Sequence, residues 1–97
     1  MKKIVFLQAA ENEMLATAEY YESKATGLGT NFLSTIQQSL EGIATNPKAA
    51  PVIRDNIRRR IVHQFPYGVL YKIDRYKIVV VAVMHLRRKP DYWQQRI

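Results

Sequence analysis

Seven consecutive apolar residues, Ile78-Val-Val-Val-Ala-Val-Met84, constrain this chain more than any other stretch. The run is far short of the ~20 residues that a membrane-spanning helix needs. It is rich in β-branched side chains and has the length of a strand. Successive residues of a strand project to opposite faces of its sheet. A strand that is apolar at every position therefore needs cover on both faces, which places it centrally. The rest of the chain has to supply its neighbours and its cover.

The periodicity of the remaining residues indicates how. Lys3-Ile-Val-Phe-Leu7 is a short β-branched and aromatic run and reads as a strand. From Ala9 to about Lys24, Met14, Leu15, Ala18 and Tyr21 follow one helical face, while Glu11, Glu13 and Glu19 lie mostly off it. Thr26-Gly-Leu-Gly29 interrupts that pattern. A second helix then reads Phe32, Leu33, Ile36, Leu40, Ile43 and Ala44, and Asn46-Pro47 stops it, because a residue before proline avoids the helical region. Two helices joined by a short glycine turn form a hairpin. Pro47 to Asn56 reads as a connector. From Ile57 the period falls to two: Arg59, Ile61, His63 and Phe65 alternate with Arg58, Arg60, Val62 and Gln64. Pro66-Tyr-Gly68 reads as a turn or bulge, Val69 to Ile73 as the next strand, and Asp74 to Lys77 as a hairpin turn. His85 to Ile97 is basic and aromatic, with Pro90-Asp-Tyr-Trp93 opening one helical turn. The order is β-α-α-β-β-β. This is an α+β fold in which an antiparallel sheet packs on an N-terminal helical hairpin and the first strand joins the sheet at its edge or within it.

With 97 residues, the chain is expected to form one domain over 1–97. It can bury about 65% of its unfolded surface, enough for a single modest core. An apolar fraction of 47% excludes a disordered chain. Met1-Lys-Lys3 before Ile4 to Leu7 resembles the start of a secretory signal, but the apolar part is too short and Glu11 and Glu13 follow at once. With no cysteine and hence no disulfide framework, the expected location is the cytoplasm.

Charge is unevenly placed. Four Lys against five Glu leave residues 1–50 at −1, whereas eleven Lys and Arg against three Asp leave residues 51–97 at +8. Such a field concentrates polyanions or an acidic partner near the second half. A plain nucleic-acid-binding module would suit it as well, although no helix-turn-helix or aromatic sheet code is visible.

Several short pieces, taken in order, resemble the RelE/ParE superfamily of toxins from type II toxin–antitoxin operons. They are Ala18-Glu-Tyr-Tyr21, Gly27-Leu-Gly29 with Phe32, Arg59-Arg60, Phe65-Pro-Tyr67, Tyr71-Lys-Ile73, Val83-Met-His85, Arg87-Arg88 and Pro90-Asp-Tyr-Trp93. The resemblance covers nearly the whole chain. It implies a small α+β toxin that arrests growth and is neutralised by a cognate antitoxin whose C-terminal segment wraps around it.

Two mechanisms occur in that superfamily. RelE-like members cleave mRNA on the ribosome, and ParE-like members, associated with plasmid stabilisation, poison DNA gyrase. Metal-free RNA cleavage needs a base near the 2′-OH, cations on the phosphate and an acid for the leaving oxygen. His85, Arg87 and Tyr92 supply those types and are the candidate catalytic residues under a RelE-like reading, in which the chain is a metal-independent endoribonuclease. RelE-like toxins typically carry an arginine on the strand matching Pro66 to Ile73, and here Gly68 stands at about that position. The Pro66-Tyr67 to Tyr71 form, His85 followed by arginines, and the late Trp93 look more like ParE, which would make the chain no enzyme. Under either reading Arg59, Arg60, Arg87, Arg88, Lys89 and Trp93 are the candidate contacts to a phosphate or target surface.

Each candidate also has a plainer reading. His85 suits a hydrogen-bonded strand end, and His63 a structural position beside Ile61 and Phe65. Arg58, Arg59 and Arg60 cannot all face one way in a strand and suit a solvated edge. Tyr92 and Trp93 could stack on a base or pack the C-terminus down. No metal-ligand cluster or glycine-rich phosphate loop is visible, so neither a metal nor a cofactor is expected. The expected partners are an acidic antitoxin, entering a groove between helix and sheet edge, and either gyrase or the ribosome with its mRNA.

Overall fold

Helical periodicity up to residue 45 and strand periodicity after it divide the chain into layers. The computed structural model describes residues 2–97. The elements are β1 (Lys3–Phe6), α1 (Gln8–Lys24), α2 (Leu28–Thr45), β2 (Val52–Arg54), β3 (Ile57–Ile61), β4 (Tyr67–Ile73), β5 (Lys77–His85) and a 3₁₀ turn at Gln94–Arg96. They form a five-stranded sheet of order β1-β5-β4-β3-β2. β2 to β5 are an antiparallel meander, and β1 lies at the edge, parallel to β5 with Ile4 opposite Ile78. The α+β class, the helical hairpin and the central placement of Ile78 to Met84 are as expected.

Three local features depart from the sequence reading. The connector contains an extra strand, β2, whose three exposed residues carry no periodic signal. Tyr67 and Gly68 already belong to β4 and β3 ends at Ile61, so the turn spans residues 62–66 and takes in His63 and Phe65, expected on the strand. α2 begins at Leu28 rather than after Gly29, because the Glu22 carboxylate of α1 accepts the N–H groups of Gly27 and Gly29 at 2.9 and 3.0 Å. A carboxylate there satisfies orphan donors and suits the positive end of the helix dipole. The same N–H groups hold Glu22 below the usual carboxylate range.

Gly29 is required by close approach. A Cβ at this position would run into the carbonyl oxygen of Ala18 and stand 3.0 Å from the Glu22 Cβ. Alanine favours a helix by ~1 kcal/mol over glycine, but overpacking costs ~1–3 kcal/mol and here meets backbone. Gly29→Ala is therefore expected to lower stability by about 1–2 kcal/mol, read as a drop in Tm of about 4–8 °C per kcal/mol.

Both faces of the sheet are covered. On one, Ala10 and Ala18 of α1 and Phe32, Ile36 and Ile43 of α2 pack on Val69, Tyr71, Ile78, Val80 and Val83. Tyr21 and Phe32 close the end of this layer against Phe65, with ring centroids 4.9 and 5.2 Å away. On the other face Ile57, Leu70, Val81, Ala82 and Met84 lie beneath Trp93, with Leu7 and Tyr92 alongside. The pairing shifts from Leu70–Ala82 to Tyr71–Val80, leaving Val81 as the extra residue of a bulge. Val81 and Ala82 consequently join the same cluster, while Val80 and Val83 both face the helices.

Candidate target-binding face

β3 sends its arginines to opposite sides. Arg60 pairs with Val69, which faces the helices, and its guanidinium lies against α2 at Gly42. Arg58 turns the same way and donates to the carbonyls of Lys48 and Ala50 at 2.9 and 2.7 Å, tying down the connector. Arg59 pairs with Leu70 of the opposite face. Its stem lies over Gly68, where a Cβ would come within 2.9 Å of Arg59 Cγ and 3.5 Å of Leu86 Cδ2. The absence of a side chain at Gly68 is thus what leaves room for the Arg59 stem. The Arg59 Nε–H is buried and has no partner among the described residues.

The basic turn after β5 leaves the sheet beside this point. Leu86 N–H donates to Pro66 O at 2.9 Å, fixing the start of the turn on β4. Arg87, Arg88 and Lys89 follow, all exposed. Arg87 N–H donates to His85 Nδ1 at 3.0 Å, and the His85 ring meets Tyr67 edge-on at 5.0 Å. His85 is thus a hydrogen-bonded strand end, with one ring nitrogen engaged. Arg88 leans over the Tyr92 ring, 3.6 Å from its centroid.

Tyr92 and Trp93 are turned away from the open part of the face. The Tyr92 hydroxyl donates to Glu13 Oε2 at 2.6 Å, and burial, reinforced by that carboxylate, raises its pKa. Trp93 is 1% exposed. Its ring has no free face for a target, so the expected stacking role gives way to packing across the sheet. Arg59 and Arg60, both candidate contacts, lie on opposite faces of β3, as their alternation predicts. Arg59 and Leu86 thus lie over Gly68 on the second face, and the exposed turn carrying Arg87, Arg88 and Lys89 leaves the sheet from this point.

Sequence reasoning missed Glu13 and Arg96. Glu13 sits on α1 three residues after Ala10, off the apolar face, where the sequence gives it no partner. Its Oε1 accepts the Val83 N–H of β5 at 3.1 Å, beyond the point where β1 stops pairing. Arg96 reaches both carboxylate oxygens, at 2.8 and 3.0 Å, and also donates to Val81 O at 3.1 Å. In the sequence Arg96 is only one more charge of the basic and aromatic stretch from His85 to Ile97.

Charge follows the layers. Residues 8–45, which form the helices, carry five Glu and one Lys, whereas residues 46–97 carry twelve Lys and Arg and three Asp. Among the described residues no group of three His, Cys, Asp or Glu could hold a metal ion, and no helix is long and apolar enough to cross a membrane.

A helical hairpin on an antiparallel meander, with the first strand returned beside the last, is the architecture expected of the RelE/ParE toxins, and the fold places the chain in that class. The family described as the ParE toxin of type II toxin-antitoxin system, parDE, matches residues 4–90, and the chain belongs to it. Among solved structures, the chromosomal ParDE TA system from P. aeruginosa contains a similar chain, at TM-score 0.64 and 12% sequence identity, covering 88% of this chain and 96% of that one. At that identity the likeness bears on the fold alone. No curated protein sequence matches the chain.

Proposed function

We propose that this ParE-family chain arrests growth by acting on DNA gyrase, through the basic strand end formed by Arg59, Arg87 and Lys89, and that an acidic antitoxin neutralises it. The observation that carries the reading is the arrangement of that end. Arg59 fills the place over Gly68 where a RelE-like toxin would hold its strand arginine, and the Tyr92 hydroxyl is bound to Glu13 rather than offered to a leaving oxygen. Cations are present at this end, but one His85 ring nitrogen is engaged by the Arg87 N–H and the Tyr92 hydroxyl by Glu13. This favours a binding surface over a ribosome-dependent nuclease.

The antitoxin has an entry beside β1. The outer edge of β1 is unpaired among the described residues, and a groove of about 290 Å³ runs along it, lined by Ile4, Phe6, Gln37, Leu40, Glu41 and Ala44. An extended apolar segment adding a strand to β1 would fill this groove, and acidic residues around it would be drawn by the sheet layer. Both the antitoxin and the proposed target place the protein's work in the cytoplasm.

The test is induction of the chain alone and together with the product of the adjoining reading frame. Growth arrest in the first case only, with an SOS response, inhibited supercoiling and intact mRNA, is the expected result. Codon-specific mRNA cuts lost in His85→Ala would instead establish the RelE-like alternative.

A further inference from the structure

We propose that Glu13 is a positioning residue for the target-binding face: its carboxylate holds the C-terminal segment in the place from which Arg87 and Lys89 act. The proposal rests on the reading above that this basic end meets the target.

Five hydrogen bonds converge on this one side chain, whose exposure is 14%. They come from the Val83 N–H in β5, from Arg88 in the basic turn at 3.3 Å, and from Tyr92 and twice from Arg96 in the C-terminal segment. A two-point Arg–carboxylate contact fixes orientation as well as distance. Arg88 and Arg96 both approach the Tyr92 ring, at 3.6 and 5.0 Å from its centroid. Without a negative charge beside them, two guanidinium groups on one ring would repel each other. The segment is also fastened by Trp93 packing, by the Arg96 bond to Val81 O at 3.1 Å and by an exposed Arg54–Asp91 pair at 3.3 Å. Exposed pairs of this kind contribute little. Glu13 ties the still exposed Arg88 to the C-terminal segment, while its neighbours Arg87 and Lys89 are exposed and in no ion pair among the described residues.

Trp93 is the chain's single tryptophan and sits between Tyr92 and Arg96, so its emission reports whether the segment is docked. In the full-length chain, Glu13→Gln is expected to move Trp93 emission to the red and open it to a neutral quencher while the far-UV spectrum stays unchanged. The inducer dose that arrests growth should rise about tenfold, the weight of one charge-assisted hydrogen bond. Arg96→Ala should act in the same direction, and the double variant should fall short of the sum of the two single ones, because they share the two-point Arg96–Glu13 contact. Unchanged emission in Glu13→Gln and Arg96→Ala would overturn the proposal. So would a released segment with growth arrest at full strength. Should Glu13→Gln lose its far-UV spectrum, Arg96→Ala alone decides by the same two readouts. The underlying reading is tested separately by Arg87→Ala with Lys89→Ala. Full growth arrest by that double variant would refute the reading without touching the effect of Glu13→Gln on Trp93 emission.

Discussion

Trp93→Ala is expected to lower folding stability by about 3–5 kcal/mol, the range for removing a fully buried large aromatic side chain. Native domains are stable by only ~5–15 kcal/mol, so this is a large share of the total. The physical reason lies in the seven-residue apolar strand. The helices cover one face of β5, and on the other Val81, Ala82 and Met84, together with Leu70 and Ile57, have Trp93 as their largest cover. Truncation would expose or hollow that whole cluster. Trp93→Phe should behave differently. The indole N–H is buried and has no partner among the described residues, and a donor in that state carries a penalty of ~1–3 kcal/mol. Phenylalanine loses some contact area and also removes the stranded donor, so its net effect should stay within about 1 kcal/mol. Denaturant melts of the two variants check both figures. Equal losses for Phe and Ala would show that the indole N–H finds a partner in solution.

Charge reversal at Arg87 and Lys89 is expected to abolish growth arrest and to slow antitoxin capture. Each reversal removes two units of charge, taking the net from +7 to +3. Both residues are exposed and outside any ion pair among the described residues, so the fold should tolerate the change. Steering by a basic surface raises association rates by 10–10³, and that gain is screened by salt. The association rate constant of an acidic antitoxin should fall by about tenfold or more at low salt, and the difference should shrink as salt is added. Stopped-flow association at two ionic strengths, with a thermal melt to verify the fold, measures this. A rate unaffected by the reversal would place the antitoxin's encounter surface elsewhere.

How much of this was legible beforehand depended on whether a residue's role is set by its neighbours in sequence. Ile78 to Met84 announced a doubly covered strand because alternation is a local property. The Phe32, Ile36, Leu40 and Ile43 ridge and the Asn46-Pro47 stop gave α2 for the same reason, and the alternation of Arg58, Arg59 and Arg60 already forbade a single cluster. The bulge at Val81 was hidden because it arises from pairing with β4, a partner ten residues away and across a turn. β2 was hidden because a three-residue edge strand needs no pattern of its own. Glu13 was misread because its donors lie 70 to 83 residues later in the chain, and nothing near it on α1 marks it as paired. Trp93 was ambiguous for a related reason: an aromatic side chain after a basic turn can pack inward or face out, and only the unfilled second face of the sheet decides.

The parallel pairing of β1 with β5 has a consequence for how the protein comes into being. Lys3 and its sheet partner, Lys77, stand 74 residues apart along the chain. Closing so long a loop is slow relative to forming helices. A growing chain can assemble its helical pair early, but that pair has no sheet to rest on until residues 77–85 emerge. The basic turn that follows β5 is therefore positioned only in the step that joins strand to strand across the whole helical pair.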